Sequence, residues 1–184
     1  MKVKLGQVIP SYPMPVALVG AMVDGKPNFL TVAWFSMMGY KPPMLGAVLG
    51  VSHYTNPGIR QSKAFSLCLP GEDMVKTVDY AGIVSGKNTD KSQLFKTFPG
   101  ETGAPLIEQC PLCVECELVR VDQNGLNELF IGRIVQVHAE DEILVDGRID
   151  LGKIRPLLLS QGENQYYRLG PKFEKAWSVG KGYK

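Results

Sequence analysis

No hydrophobic stretch in this chain approaches the ~18 apolar residues that a membrane-crossing helix needs, because charged and turn-forming residues interrupt each one. Cysteine is scarce. Four in 184 residues are too few for a disulfide scaffold of this size. Neither sign of charge dominates: 20 basic residues face 18 acidic ones, for a net +2. That balance gives no electrostatic footprint for nucleic acid. The first fifteen residues carry Lys2, Lys4 and three prolines, with no continuous apolar segment, so no secretory leader is expected. These absences together predict a reducing, cytoplasmic setting. Histidine is limited to His53 and His138, and no G-x-S-x-G, Walker A or G-x-G-x-x-G motif is present. A hydrolase built on a nucleophile and its base is therefore not expected, and no catalytic side chain is assigned.

What the chain has in quantity is punctuation. Twenty glycines and 13 prolines separate short apolar runs, the pattern of a β-rich fold. Val16–Val23 reads as a strand. Asp24-Gly25 follows as a hairpin signal, and Asn28–Met37 as the returning strand. Gly39–Pro43 reads as a loop and Leu45–Val51 as a third strand. After a short helix comes a fourth strand, Ala64–Leu69. Met74, Val75, Val78 and Ala81 fall at helical spacing. Gln93–Phe98 is a second short helical segment. Leu112–Val121 and Leu129–His138 flank Asn124-Gly125 and predict a long hairpin. Its second strand does not alternate cleanly, which suggests a bulge or burial on both faces. Ile149–Leu159 is ambiguous, and Gln165–Leu169 closes the series. The expectation is one domain over residues 1–184: an antiparallel barrel with short helices outside it. The lysines near the end (Lys172, Lys175, Lys181, Lys184) read as a solvated terminus.

The most informative stretch is Ser52-His53-Tyr54-Thr55-Asn56-Pro57-Gly58-Ile59. It follows the third strand and opens a helix, with Asn56 suited to the N-cap and Pro57 to the first helical position. Hydroxyls and an imidazole thus stand where a helix start collects an anion. The alternative is a capped helix with an incidental histidine. Ser85-Gly86-Lys87, with Lys91 just after, offers close backbone approach and point charges for a phosphate; taken alone it is an ordinary loop. On the second strand Asn28, Trp34 and Ser36 share one parity, Thr31 and Ala33 the other. Such a strand can lie along a flat aromatic ligand, or simply contribute its Trp to the core. Cys110-x-x-Cys113-x-x-Cys116 has metal-like spacing. Opposite parity of Cys113 and Cys116 on one strand argues instead for buried thiols, so no metal ligands are assigned.

In order and spacing these motifs resemble the flavin reductase-like, FMN-binding split-barrel family, and within it the flavoredoxin-like group. The matching pieces are Pro15–Val19, Asn28–Trp34, Pro42–Leu45, His53–Arg60, Phe65–Pro70, Ser85–Lys87 with Asp90-Lys91, Cys116-Glu117 and Tyr166–Gly170. The resemblance spans roughly residues 13 to 170. It implies an antiparallel Greek-key split barrel that dimerises with itself and holds FMN noncovalently. By that resemblance the flavin ring lies along Asn28, Thr31, Val32, Ala33, Trp34 and Ser36. The phosphate falls to Ser52, His53, Tyr54 and Thr55, and a second anchor to Ser85, Gly86, Lys87 and Lys91. Bound phosphate would favour the cationic form of His53. The implied activity is an oxidoreductase or electron carrier, its FMN exchanging electrons with NAD(P)H or with a redox protein partner. The competing reading is a non-enzymatic FMN-binding module.

Overall fold

In the computed structural model, which describes residues 1–183, the Asp24-Gly25 pair closes the first hairpin as its composition predicts. Lys184, last of the tail lysines, lies outside the described residues. A short β1 (Met14–Pro15) precedes β2 (Ala17–Val23) and β3 (Lys26–Val32). Val23 sits opposite Lys26, and both turn residues have positive φ, 49° and 75°. That is the mirror-image turn whose twist matches the flanking strands.

The expected strand Asn28–Met37 is two strands, not one. It breaks at Ala33-Trp34, and β4 (Phe35–Tyr40) pairs with β5 (Pro43–Gly50) instead of continuing beside β2. The expected loop Gly39–Pro43 is a tight turn. Tyr40 faces Pro43, leaving only Lys41-Pro42 between them. Proline is tolerated there because a turn and a strand's first residue need no ladder donor.

Helix α1 (Thr55–Ser62) then leads to β6 (Ala64–Leu69), and α2 (Val75–Ile83) buries Val78 and Ala81, as their spacing predicts. Gln93–Phe98 is not a helix. So short a segment cannot nucleate one alone; Phe95 is drawn into the outer apolar cluster, and the end of the segment joins β7 (Thr97–Pro99), paired with β8 (Pro105–Ile107). The long strands β9 (Leu112–Asn124) and β10 (Asn127–Ala139) turn at Gly125-Leu126, one residue later than expected. Register shifts at Ile131/Gly132 and Ile134/Gln136 account for the broken alternation. A small pair, β11 (Leu144–Val145) and β12 (Arg148–Ile149), follows. The ambiguous segment resolves into α3 (Leu151–Ile154) and β13 (Leu157–Ser160), which lies between β1 and β14 (Gln165–Arg168).

The main sheet runs β3-β2-β6-β9-β10-β5-β4, and each pairing is antiparallel. Its two edge strands, β3 and β4, are joined through Ala33 and Trp34 alone. Such a link spans roughly 11 Å at most. The edges must therefore lie side by side, and the sheet rolls into a barrel, as expected. Inside pack Leu49, Ile59, Phe65, Phe130 and Cys116. A second apolar cluster, outside the barrel wall, joins Leu18 and Phe29 to Val78 of α2 and Leu106 of β8. Cys113 belongs to this outer cluster and Cys116 to the inner one, as their parity requires. All four cysteines are free and buried. Among the described residues, no helix is long and apolar enough to cross a membrane.

Candidate functional site

Two cavities open side by side where β3, the turn after β5, and the loop after α2 meet. The smaller, about 210 Å³, is walled by Asn28, Ser52, His53, Tyr54, Thr55 and Lys91. Ser85 and Gly86 close it from the loop, and Leu30, Gly82, Ile83 and Val84 complete it. The larger, about 430 Å³, shares Asn28, Tyr54, Gly86 and Lys91 and adds Lys87. Residues far apart in the chain, from Asn28 to Lys91, thus converge on one surface.

The hydrogen bonding in the smaller cavity leaves donors free. Asn28, buried on β3, donates from Nδ2 to Thr55 Oγ1 at 2.8 Å. The Thr55 oxygen is an acceptor there, so its own O–H is left to donate elsewhere. Helix α1 begins at Thr55, earlier than expected, with Tyr54 in the cap position and no side-chain cap bond. Asn56 is not the cap. Its amide is buried and donates to Gly50 O and Glu128 Oε2, both at 2.9 Å, tying the helix to β5 and β10. The start of α1 offers few free amides: the Asn56 N–H donates to His53 O at 3.2 Å, and Pro57 has none.

His53 is held neutral. The Gly50 N–H donates to Nδ1 at 3.1 Å, which fixes the ring proton on Nε2. Burial lowers its pKa, and the Lys91 ammonium lowers it further. The expected cationic His53 does not fit this geometry, because a second proton has no lone pair to occupy. Lys91 carries the positive charge instead. Its ammonium is buried and donates to Phe29 O at 3.0 Å and Ala81 O at 2.6 Å, and burial lowers its pKa. An ammonium has three donors, so one remains. Gly86 allows the loop to close on the strand. A Cβ there would meet Asn28 Oδ1 and Tyr54 Cδ1, each at 2.4 Å.

The smaller cavity sets the donors of Asn28, Ser52, His53, Thr55, Ser85 and Lys91 against an apolar side of Leu30, Ile83 and Val84, with no carboxylate in its wall. That composition selects an anion with several acceptor oxygens.

The other predicted residues lie elsewhere. Thr31 points to α2 and donates from Oγ1 to Val78 O at 2.6 Å, a structural tie. Val32 is buried in the barrel core. Ala33 and Trp34 form the link between the edge strands. Trp34 is partly exposed and donates from Nε1 to Gln161 Oε1 at 2.9 Å. Ser36, on β4, is exposed. The shared face inferred for Asn28, Trp34 and Ser36 fails because the strand breaks between them. Gly82, Ile83 and Val84 were not singled out: as the apolar end of a helix they carry no local mark of a site.

The flavin reductase-like domain family model matches residues 9–167. The crystal structure of flavoredoxin from Methanosarcina acetivorans is 40% identical in sequence, covers 98% of this chain and 97% of that one, and has a TM-score of 0.92. Flavoredoxin of Desulfovibrio vulgaris (Miyazaki F) is 34% identical, with 98% and 100% covered, at a TM-score of 0.92. An FMN-binding protein from Thermus thermophilus is 27% identical, with 95% and 97% covered, at 0.81.

Proposed function

Because the chain belongs to the flavin reductase-like domain family, we propose that it binds FMN noncovalently and acts as an oxidoreductase or electron carrier. One observation carries this: the donor-rich, carboxylate-free cavity that joins Asn28, Ser52–Thr55, Ser85, Gly86 and Lys91. A phosphate monoester bears about −1.5 to −2 charges. The hydroxyls of Thr55 and Ser52, the His53 Nε2–H and the third Lys91 donor match its acceptor oxygens. Phosphate binding does not require His53 to titrate.

The ring system goes with β3 and the Ala33-Trp34 link. As an edge strand, β3 pairs only with β2, so its other side has backbone donors and acceptors to offer. Trp34 supplies a flat aromatic wall. Bound flavin supplies hydride and single-electron transfer; the chain holds, orients and electrostatically tunes it. The match to an FMN-binding relative supports the choice of FMN.

We also infer a homodimer. Met37, Met38 and Tyr40 expose apolar side chains along edge strand β4, a face suited to a second copy. The electron source is NADH, NADPH or a redox protein.

The decisive test is the visible spectrum of the purified protein, followed by anaerobic addition of NADH and NADPH. Flavin bands that bleach with either nucleotide make it a reductase. Flavin bands that resist both assign it a protein donor. A protein that stays colourless with saturating FMN ends the proposal.

A further inference from the structure

We propose that Cys68 and Cys113 form a dithiol–disulfide couple, oxidised through a surface pocket by small cationic disulfides. This centre goes beyond the flavin reading and does not require a bound flavin.

Strand register supplies the bond. Cys68 on β6 stands directly opposite Cys113 on β9. Directly opposed residues of an antiparallel ladder have Cα atoms about 4.5–5.5 Å apart, inside the roughly 4.4–6.8 Å that a disulfide spans. Both side chains lie in the outer apolar cluster, with Cys110 as a third thiol beside them. Cys116 belongs to the inner cluster, on the opposite face of the sheet. Among the described residues, no three His, Cys, Asp or Glu side chains are arranged to hold a metal ion.

A pocket supplies the route. Cys110 and Cys113 line a cavity of about 150 Å³ together with Phe98, Glu108, His138 and Glu140. A cavity of about that volume holds a molecule the size of benzene. One arm of a small disulfide fits; a protein segment does not. Cys68 is buried and is not part of the wall. Glu108 and Glu140 are exposed, and their carboxylates attract a cation to the mouth and repel an anion.

The neighbouring thiols supply the nucleophile. Burial opposes ionisation of Cys68, but hydrogen bonds from Cys110 and Cys113 outweigh it and hold the Cys68 thiol well below the usual value. For Cys113, the hydrogen bond with Cys110 favours the thiolate, but Cys68 and burial outweigh that help and push it up. The first negative charge therefore starts on Cys68. Transfer of the Cys113 proton to Cys68 brings that charge to the pocket wall. The Cys113 thiolate then attacks one sulfur of RS–SR, forming Cys113–S–SR and releasing RS⁻. Cys68 gives up its proton, attacks the Cys113 sulfur and expels the second RS⁻. The Cys68–Cys113 bond has formed and the small S–S bond has broken. The protein has lost two electrons and two protons, and these leave as two molecules of RSH.

Cystamine, a dication at neutral pH, and oxidised glutathione, an anion, are the probes. Each is added to the full chain, with and without FMN, and followed by intact mass and peptide mapping. Cystamine should leave the protein lighter by two hydrogens, with Cys68 joined to Cys113 and Cys116 still a free thiol. It should react about tenfold faster than oxidised glutathione, and the pair Glu108→Gln, Glu140→Gln should erase that preference. Cys113→Ser should abolish both the bond and any cysteamine adduct in the pocket. The wild-type peptide map decides the matter even where a variant fails to fold. Absence of a disulfide at Cys113, a bond from Cys113 to Cys110 in place of Cys68, or labelling of Cys116 at the same rate overturns the inference. So does a glutathione reaction as fast as that of cystamine. None of these results touches the flavin reading, which the visible spectrum tests separately.

Discussion

Thr55 shows how a single hydroxyl acquires a role from its neighbour. Asn28 already donates to its oxygen, so its own proton is free to donate into the cavity that Thr55 lines. A hydrogen bond to a charged group contributes about 1.5–3 kcal/mol. Thr55→Ala should therefore weaken FMN by about that amount and leave riboflavin, which lacks the phosphate, nearly unchanged; fluorescence titration with both flavins measures the difference. His53 acts through its tautomer. Its pKa in the folded chain lies below the ordinary 6.5, so the unfolded chain takes up a proton first as pH falls. Stability then declines from about pH 6.5 downward until the folded value is reached. Glu115 adds a later stage. Burial opposes its charge, but hydrogen bonds from His138 and Thr102 outweigh burial, and its pKa falls below the ordinary 4.5. Its contribution is complete above 4.5 and is lost as pH falls through the folded value. Melting temperatures of the apoprotein should drop in two stages on acidification. His53→Asn, whose amide oxygen can accept the Gly50 N–H, should remove the upper stage alone. Glu115→Gln should shrink the lower, to which Asp90 and Asp150, also held below the ordinary carboxylate value, contribute.

Elements here are shaped by contacts that local pattern does not reveal. The bulge between Ile131 and Gly132 brings the β10 backbone against the Phe65 ring. A Cβ at Gly132 would lie 2.6 Å from that ring and 2.7 Å from Cys116 Cβ. Gly132→Ala should overpack the barrel and cost about 1–3 kcal/mol. Phe130→Ala, nearby and fully buried, should cost about 3–5 kcal/mol by leaving a cavity. Urea unfolding measures both, and values near zero would mean the bulge is loosely packed. The loop from Ser85 to Lys91 is of another kind. Lys91 pins it to β3 and α2 through two carbonyls, so the positive charge of the site is also a clamp. That dual part explains how a buried ammonium is tolerated: two of its three donors are satisfied by backbone oxygens.

Over the whole molecule, one short link sets the architecture. Two residues, Ala33 and Trp34, join opposite edges of the seven-stranded sheet and force its closure. The same crossing leaves β4 as an edge with Met37 and Tyr40 outward, 57% and 86% exposed. An exposed edge of this kind invites a second chain. The paired substitution Met37→Glu, Tyr40→Glu should shift the proposed dimer to monomer in light scattering, without lowering the melting temperature as a core change would. A wild-type protein that already scatters as a monomer at high concentration would remove the dimer from the account.

Much was legible in the linear order of residues. The Asp24-Gly25 turn, the α2 face with Val78 and Ala81, the long hairpin of β9 and β10 and the opposite facing of Cys113 and Cys116 all follow from rules acting over a few neighbours. So did the assembly of Asn28, Ser52 to Thr55, Ser85, Gly86 and Lys91 as a group, since their types and order resemble one family. Other features depend on what packs across the barrel. The strand break at Ala33, the tight turn at Lys41-Pro42 and the loss of helix at Gln93–Phe98 could not be read locally. Nor could the neutrality of His53, which hangs on a backbone amide three residues away and an ammonium 38 residues away. Periodicity encodes which face a residue takes; only closure of the sheet decides which distant groups share a cavity, because burial and hydrogen bonding are settled between elements and not within them.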